Sequence, residues 1–531
     1  MLLRLTEVRL FLHEDEAALK EKSAQYLTIP IDKIISLEIV RKSLDSRQRN
    51  KINFVYTLNI EVSSDLIDSF DTSDPHIKVI KPAEPFIFPR LKSERRPVIA
   101  GTGPAGLFAA LRLTEYGLKP LLLERGKKIK ERVKDVGLFW KERKLDPESN
   151  VQFGEGGAGT FSDGKLTTRI DDRRISYILR SFVNAGADSS ILSDAKPHIG
   201  TDRLRTVVTN LRNMLVERGC EVRFGSRLTG LIKYDSKIES VLINDNEEIK
   251  TDHLVLAIGH SARDTYEMLY QAGMEIAPKS FAIGLRVEHP QELIDRIQYG
   301  PSAGHPKLPA AEYVLTHNLK QRGRSAYSFC MCPGGAVIAA PSEPGCLVVN
   351  GMSLSARDSG YANSALIVNV SPADFSEGPL SGMEFQRKWE RAAFDCGGQN
   401  YNAPAQNLME FINPANNGTD SLSLNRSSCL PALCRADLAE CLPEYVTDTL
   451  RNAIPVFGKK MKGFISKEAT LIGVETRTSS PVRILRNSGF HSLNCNGLYP
   501  CGEGAGYSGG IISSALDGIK VADAIADSLQ R

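Results

Sequence analysis

The stretch PVIAGTGPAG at residues 97–106 constrains the fold of this 531-residue chain more than any other feature. Three glycines in a G-x-G-x-x-G pattern directly follow the apolar run VIA, and the helical pattern LFAALRLTEYG comes next. In such a strand-turn-helix unit, the first glycine permits the tight turn and the second lets the backbone approach a diphosphate. The third glycine lets the helix pack on the strand. The pattern predicts an α/β nucleotide-binding domain whose turn is formed by Gly101, Gly103, Pro104, Ala105 and Gly106.

An acidic residue after the next apolar run supports this interpretation. The run KPLLLE ends in Glu124, and Arg125 follows it. A carboxylate at the end of the second strand of a dinucleotide-binding unit accepts hydrogen bonds from a ribose. Glu124 is therefore predicted to bind the ribose of an adenosine, with an ordinary surface carboxylate as the alternative.

The glycine turn comes late in the chain because another unit precedes it. Residues 2–12 and 52–62 alternate apolar and polar side chains, which predicts half-buried strands. Between them, DEAALKEKSAQYL has helical spacing and IISLEIVRKSL is a further predicted strand. Residues 1–96 are therefore predicted to form a small α+β domain of the ferredoxin type and a proline-rich, charged linker.

Two later glycine-rich loops indicate which dinucleotide is bound. The loop VQFGEGGAGTFSDGKL at residues 151–166 suits a phosphate or the close approach of a ring system. Near the C-terminus, GLYPCGEGAG places Glu503 between a predicted strand and a long helix that begins near Ile511. Flavoproteins use an acid there for the ribityl hydroxyls, and the helix N-terminus stabilises negative charge on a reduced flavin. The three loops together predict FAD.

These motifs resemble those of the glutathione-reductase-like FAD superfamily, in the branch without a separate NAD(P) domain. The chain is more closely similar to the bacterial family of uncharacterised FAD-dependent dehydrogenases, through stretches such as FGEGGAGTFSDGKL, LVLAIGHSARDTYEML and LYPCGEGAGYSGGIISSALDGIKVA. The resemblance implies a Rossmann-like FAD-binding domain with an inserted substrate domain, and it implies no substrate. It assigns the ADP half to the first glycine turn, Glu124 and Arg125. Around the flavin and ribityl chain it places Gly157, Ala158, Gly159, Thr160, Gly259, Gly502, Glu503, Gly510 and Ile511.

The same features predict how the chain is divided. After the N-terminal unit, the FAD-binding domain is expected at residues 97–275 and 488–531. The substrate domain is expected between these two parts, at residues 276–487.

Four residues of the predicted substrate domain are candidates for chemistry. SFCMCPGGAV places Cys330 and Cys332 on one face of a strand, where they either meet the flavin or a disulfide substrate, or simply pack. In FAIGLRVEHPQ, Arg286 either holds an anionic substrate or forms an internal ion pair with Glu288. Arg477 belongs to the polar cluster of GVETRTSSPVRI, which is expected to line the pocket.

The remaining features limit the partners. No apolar run reaches the roughly 20 residues that span a bilayer, and the net charge of +3 is too small to indicate a nucleic-acid or membrane partner. The start of the chain lacks the pattern of a secretory signal and the ten cysteines are sparse, which predicts a reduced, cytoplasmic protein. The cysteine spacings match no zinc or iron–sulfur site, so no metal is expected.

The sequence therefore predicts an FAD-dependent oxidoreductase that transfers hydride between the flavin and a small organic molecule, with an anion among the candidates. No second G-x-G-x-x-G follows a predicted strand. The electrons are thus expected from the substrate, from NAD(P)H acting transiently at the flavin, or from a protein donor. Two alternatives stay open: a flavin-dependent RNA-modifying enzyme with the N-terminal domain as RNA reader, and a non-catalytic FAD-binding redox sensor. The oligomeric state is not predicted.

Overall fold

An antiparallel sheet with one helix forms the N-terminal part of a computed structural model that describes residues 1–63, 73–81, 84, 86–414 and 424–530. Its elements are β1 (Leu2–Phe11), α1 (Ala18–Leu27), β2 (Ile34–Asp45), β3 (Asn53–Val62) and β4 (Ile77–Val79). The strand order is β2-β3-β1-β4, and the alternate residues Leu3, Leu5, Leu58 and Ile60 are fully buried. The predicted helix and strands of residues 2–62 are confirmed. The ferredoxin-like arrangement stays a prediction, because residues 64–72 lie outside the described residues.

The next part of the chain builds a five-stranded parallel sheet and a small antiparallel one. Its elements are, in chain order, β5 (Val98–Ala100), α2 (Pro104–Glu115), β6 (Leu121–Leu123), α3 (Ile129–Glu142), α4 (Arg174–Asn184), α5 (Thr201–Glu217), β7 (Glu221–Arg223), β8 (Leu228–Tyr234), β9 (Lys237–Ile243), β10 (Glu247–Lys250), β11 (Leu254–Leu256), α6 (Arg263–Gln271) and β12 (Ile276–Pro278).

Most of the remaining elements form a second large sheet and its helices. The last strand and the last helix of the chain belong to the parallel sheet. The remaining elements are β13 (Phe281–Pro290), α7 (Gln291–Tyr299), β14 (Thr316–Leu319), β15 (Arg324–Cys332), β16 (Ala336–Ala339), β17 (Val349–Met352), β18 (Tyr361–Val370), α8 (Ser381–Cys396), β19 (Ala403–Asn407), α9 (Leu408–Ile412), β20 (Leu433–Arg435), α10 (Glu444–Lys460), β21 (Thr470–Glu475), β22 (Val482–Ile484), β23 (Leu498–Pro500) and α11 (Ile511–Leu529).

The parallel sheet is buried on both faces. Its strand order is β23-β11-β5-β6-β7. Ile99 faces a core that contains the apolar residues of α2, α5 and α11, whereas Val98 and Ala100 face a core that contains those of β8 and β9. Successive side chains of a strand point to opposite faces, so a run such as VIA must be apolar throughout to serve both cores.

One sequence prediction about this region is wrong. The runs GCEVRF, RLTGLIK and KIESVLI appear in the sequence as three consecutive meander strands. In the structure, the first of them is β7, which pairs in parallel with β6 and therefore belongs to the large sheet. The meander consists of β8, β9 and the unpredicted β10. The helix α5 provides the crossover that a parallel partner requires, and a three-residue strand carries no local signal of its partner.

The second sheet is mainly antiparallel and lies within residues 281–475. Its order is β14-β15-β18-β13-β21-β19-β20, with α8 and α10 packed against it around a large apolar core. The predicted domain boundaries at 276 and 488 stay predictions. Among the helices of the described residues, none has the length and hydropathy needed to cross a bilayer.

Candidate active site

A cavity of about 460 Å³ lies at the carboxyl ends of the parallel strands, on the side that faces the second sheet. Ligands of open parallel sheets bind at this edge. The second sheet contributes Phe329 and Cys330 of β15 and Glu475 of β21 to the wall. Most of the residues predicted from the sequence line this cavity, namely Gly101, Gly103, Pro104, Ala105, Glu124, Arg125, Gly157, Ala158, Gly159, Gly259, Cys330, Arg477, Glu503, Gly510 and Ile511.

Two helices begin at the cavity wall. The helix α2 begins directly after Gly103, and α11 begins directly after Gly510. The first N–H groups of a helix have no partner within the helix and carry a partial positive charge. Both helices therefore offer hydrogen-bond donors to an anionic or electron-rich ligand.

The first and second glycine loops touch each other in the wall. A Cβ built on Gly157 would lie 3.0 Å from the Gly103 Cα, and Gly157 has a φ of +65°. Any side chain at this position would separate the two turns and strain the backbone. The contact depends on glycine at position 157, and it makes the two loops one continuous surface.

The carboxylate of Glu124 connects the same two loops through hydrogen bonds. The side chain is buried, and one carboxylate oxygen accepts hydrogen bonds from the N–H and hydroxyl of Thr102, at 3.0 and 2.5 Å. The other oxygen accepts from the N–H groups of Gly126 and Gly154, at 2.9 and 3.0 Å. The predicted contact of Glu124 with a ribose stays a prediction, and the structure adds a positioning role for the cavity wall.

Arg132 carries no motif signal, yet it organises the second glycine loop. Its fully buried guanidinium donates hydrogen bonds to the backbone carbonyls of Asn150, Val151, Gly154, Glu155 and Gly157. Burial lowers the pKa of Arg132 to about 10, so the group stays charged at neutral pH. The available signal is its place in α3, since residues 129, 132, 136 and 139 form the buried face of that helix.

Three residues predicted to contact the cofactor are not among the lining residues. A Cβ on Gly106 would lie 1.9 Å from the Gly101 carbonyl oxygen, so this glycine serves the close packing of α2 on the turn. The Thr160 hydroxyl donates to a carbonyl within its own loop at 3.2 Å. The Gly502 N–H donates to the Asp517 carboxylate at 2.7 Å. The packing role predicted for the third glycine, Gly106, is confirmed, and the predicted cofactor contacts of Thr160 and Gly502 stay predictions.

The polar residues at the two ends of the cavity are paired. Arg125 forms ion pairs with Glu148 and Asp264, both at 2.8 Å. At the other end, the Nδ1 of His260 lies 3.2 Å from the Glu503 Oε1, and both residues line the cavity. The pairing orients the imidazole ring of His260 at the wall.

Arg286 does not hold an external anion. It is fully buried and is not among the lining residues of the cavity. Its guanidinium donates to Glu475 at 2.7 Å, to Asn363 at 2.9 Å and to the Cys330 carbonyl at 2.8 Å. Arg286 therefore forms an internal ion pair, but the predicted partner Glu288 is wrong: the partner is Glu475 of the neighbouring strand β21, whereas Glu288 accepts from residue 428.

Arg477 lines the cavity but is also held by protein groups. Its guanidinium donates twice to Glu390, at 2.9 and 2.7 Å, and to the hydroxyls of Ser261 and Ser342. Glu390 accepts two further hydrogen bonds from Arg263 of α6. This buried Arg-Glu-Arg cluster connects α8 of the second sheet with α6 of the parallel-sheet region, and it makes the cavity wall rigid.

Lys165 is different from the other cations of the wall. Among the described residues that line the cavity, it is the only lysine or arginine without an ion pair. Burial lowers the pKa of Lys165, but the nearby Cys332, Cys330 and Asp163 outweigh this effect and raise it. Lys165 therefore offers a positive charge to an anion in the cavity.

Comparisons with known proteins agree with the cofactor that the loops predict. Residues 280–478 match the family model of the FAD-dependent protein, C-terminal domain-like, and residues 2–61 match a domain of unknown function. An uncharacterised protein of Clostridium beijerinckii is 47% identical over 534 residues, covering 99% of each chain.

The similarity to solved structures is much lower. A mutant of the halogenase PltM in complex with FAD has a TM-score of 0.38 at 11% identity, covering 82% of this chain and 70% of that one. A geranylgeranyl bacteriochlorophyll reductase-like protein of Thermoplasma acidophilum has a TM-score of 0.33 at 14% identity, covering 82% and 78%.

Proposed function

Since this chain belongs to the family of FAD-dependent proteins, and its cofactor is FAD, we propose that it is an oxidoreductase of a small, anionic organic substrate. A Rossmann-like domain, built on the parallel sheet, holds the FAD. The observation that supports the proposal most is the meeting of three glycine loops and Lys165 in one cavity.

The cavity fits FAD in shape and in donor groups. The start of α2 suits a diphosphate, since helix N-termini bind phosphate groups through free N–H groups. The N–H groups at the start of α11 suit the edge of the ring system that gains negative charge on reduction, and Glu503 suits the hydroxyls of the ribityl chain. The contact of Gly103 with Gly157 leaves bare backbone on both sides of the wall, which a flat ligand can approach closely. FAD when bound supplies two-electron chemistry.

The chain itself supplies orientation and charge. Lys165 is in place to hold a carboxylate or phosphate of the substrate, as a point charge with three donors. Arg286 is fully buried and its guanidinium is bonded to Glu475, Asn363 and the Cys330 carbonyl, so Lys165 replaces it as the proposed anion-binding residue. The buried Arg-Glu-Arg cluster holds Arg477 in the cavity wall, where it donates a hydrogen bond to Ser261.

We expect bleaching of the flavin absorbance when the holoprotein meets its donor without oxygen. The screen contains NADH, NADPH and a panel of organic anions, with their uncharged analogues as controls. Bleaching by an organic anion supports the proposal, and bleaching by NADH or NADPH identifies the transient donor. A screen in which only uncharged compounds bleach the flavin contradicts it.

The variant Lys165→Met tests the anion-binding role. We expect the KM of the anionic substrate to rise by about 10- to 100-fold, because a charge-assisted hydrogen bond contributes about 1.5–3 kcal/mol. FAD content should not change by more than about twofold. The same rise in KM for the uncharged analogue would show that Lys165 acts through the shape of the cavity and not through its charge.

A further inference from the structure

The strand β15 is distorted where its two cysteines lie. Cys330 has a φ of +43°, in the left-handed region that residues with a side chain seldom adopt. The pairing of β15 with β18 shifts register between Phe329 and Cys332. Such strained residues persist where the surrounding structure holds them, and they are concentrated at functional sites.

The distorted segment places one thiol at the cavity and the other directly behind it. Cys330 lines the cavity, whereas Cys332 is fully buried. The thiol of Cys332 donates to the Cys330 carbonyl at 3.3 Å, and the Arg286 guanidinium donates to the same carbonyl and lies 3.9 Å from the Cys332 sulfur. The Cα atoms of residues i and i+2 in a regular strand are about 6.6–6.8 Å apart, which is the upper limit for a disulfide. A residue in the left-handed region makes the segment more compact than a regular strand.

The charges around the two thiols distinguish them. The hydrogen bond from Cys332 and the positive charges of Lys165 and Arg286 lower the pKa of Cys330, against the effect of burial. The hydrogen bond to Cys330 and burial raise the pKa of Cys332. One sulfur is thus stabilised as a thiolate at the cavity, and the other stays a thiol behind it, as a dithiol couple requires.

We propose that Cys330 and Cys332 form a redox-active dithiol that exchanges two electrons with the bound FAD. When the dithiol is oxidised, the two sulfurs lose their protons and form one S–S bond. The two electrons reduce FAD, which takes up the proton it needs from solvent, so no further oxidant is required. The inference rests on the proposed function, because it adds a second two-electron redox group, the dithiol, beside the flavin in the same cavity.

The number of electrons that the holoprotein accepts tests this proposal. Wild-type protein is oxidised with diamide, desalted, and titrated with dithionite without oxygen. We expect the wild type to accept two more electrons per FAD than Cys330→Ser and Cys332→Ser, because a disulfide is a two-electron couple. Equal electron uptake by the wild type and both variants would overturn the proposal.

A second measurement needs no variant and also applies to protein freed of FAD. After the same oxidation, the protein is unfolded in guanidinium chloride so that the buried Cys332 is accessible, the free thiols are alkylated and the peptides are weighed. We expect residues 330 and 332 to be protected from alkylation and to become reactive again after reduction. Alkylation of both residues in the oxidised protein would overturn the proposal.

The chain contains a matched control pair. Cys396 and Cys441 both belong to the apolar core beside the second sheet, neither lines the cavity, and burial raises the pKa of both. We expect this pair to stay reduced under conditions that oxidise Cys330 and Cys332. A failed donor screen would remove the proposed substrate class, whereas the electron count decides the dithiol independently.

Discussion

The variant Glu124→Gln is expected to lower the affinity for FAD by roughly 100-fold. Each carboxylate oxygen of Glu124 accepts two hydrogen bonds, and together they hold Thr102, Gly126 and Gly154 in the cavity wall. An amide has one acceptor oxygen, so one pair of donors would face an NH₂ group. Two lost hydrogen bonds to a charged acceptor cost about 3 kcal/mol or more, which corresponds to about 100-fold in a dissociation constant.

The affinity is measured by titrating FAD into the apoprotein and following the flavin fluorescence. Glu142→Gln is the control, because Glu142 is 40% exposed, pairs with the exposed Lys144 and does not line the cavity. Such pairs contribute up to about 1 kcal/mol, so the control should change the affinity by less than about fivefold. Equal affinities of the wild type and Glu124→Gln would show that the carboxylate does not hold the FAD-binding loops.

The variant Glu390→Gln is expected to cause the largest loss of stability, about 3–5 kcal/mol at neutral pH. Glu390 is fully buried and accepts hydrogen bonds from both Arg263 and Arg477, and from the Thr476 hydroxyl at 2.9 Å. Removing one partner of a buried ion pair leaves uncompensated charge, and here two guanidinium groups lose their counter-charge together. Urea denaturation of the holoprotein measures the loss. The control Glu384→Gln changes an exposed pair on the same helix and should cost less than about 1 kcal/mol.

The same carboxylate should make stability depend on acid pH. Burial raises the pKa of Glu390, but Arg263 and Arg477 outweigh it and hold the pKa well below its ordinary value. A group whose pKa is lowered by folding stabilises the protein fully above its unfolded pKa of about 4.3, and this stabilisation is lost as the pH falls further. The difference between wild type and Glu390→Gln should therefore be constant from pH 8 to pH 6 and shrink below about pH 4. A difference that grows on acidification would contradict this assignment.

The parts of the molecule that follow from local chemistry are predictable from the sequence. The turn after VIA needs glycine because Gly101 has a φ of +107°, and the helix after it needs Gly106 for close packing on that turn. Such requirements are met by neighbouring residues, so a short stretch is enough to recognise them. The strand-turn-helix unit and the FAD cofactor were predictable for this reason.

The parts that depend on distant partners are not predictable in this way. Arg286 and Glu475 meet because β13 lies beside β21, and the spacing of residues within one strand suggests the wrong partner, Glu288. Arg132 reads as an ordinary surface arginine unless its position on the buried face of α3 is noticed. Buried charges are informative because they must be paired or hydrogen-bonded, but the identity of the partner depends on the topology of the sheets.

Hydrogen exchange of the protein with and without FAD tests the central claim most directly, namely that three separate loops surround one FAD. We expect FAD to protect the amides of residues 101–106, 154–160 and 502–511 together, at one equivalent of FAD, and to leave the sheet β1–β4 unchanged. Protection of only one of these loops, or protection confined to other parts of the chain, would contradict the account.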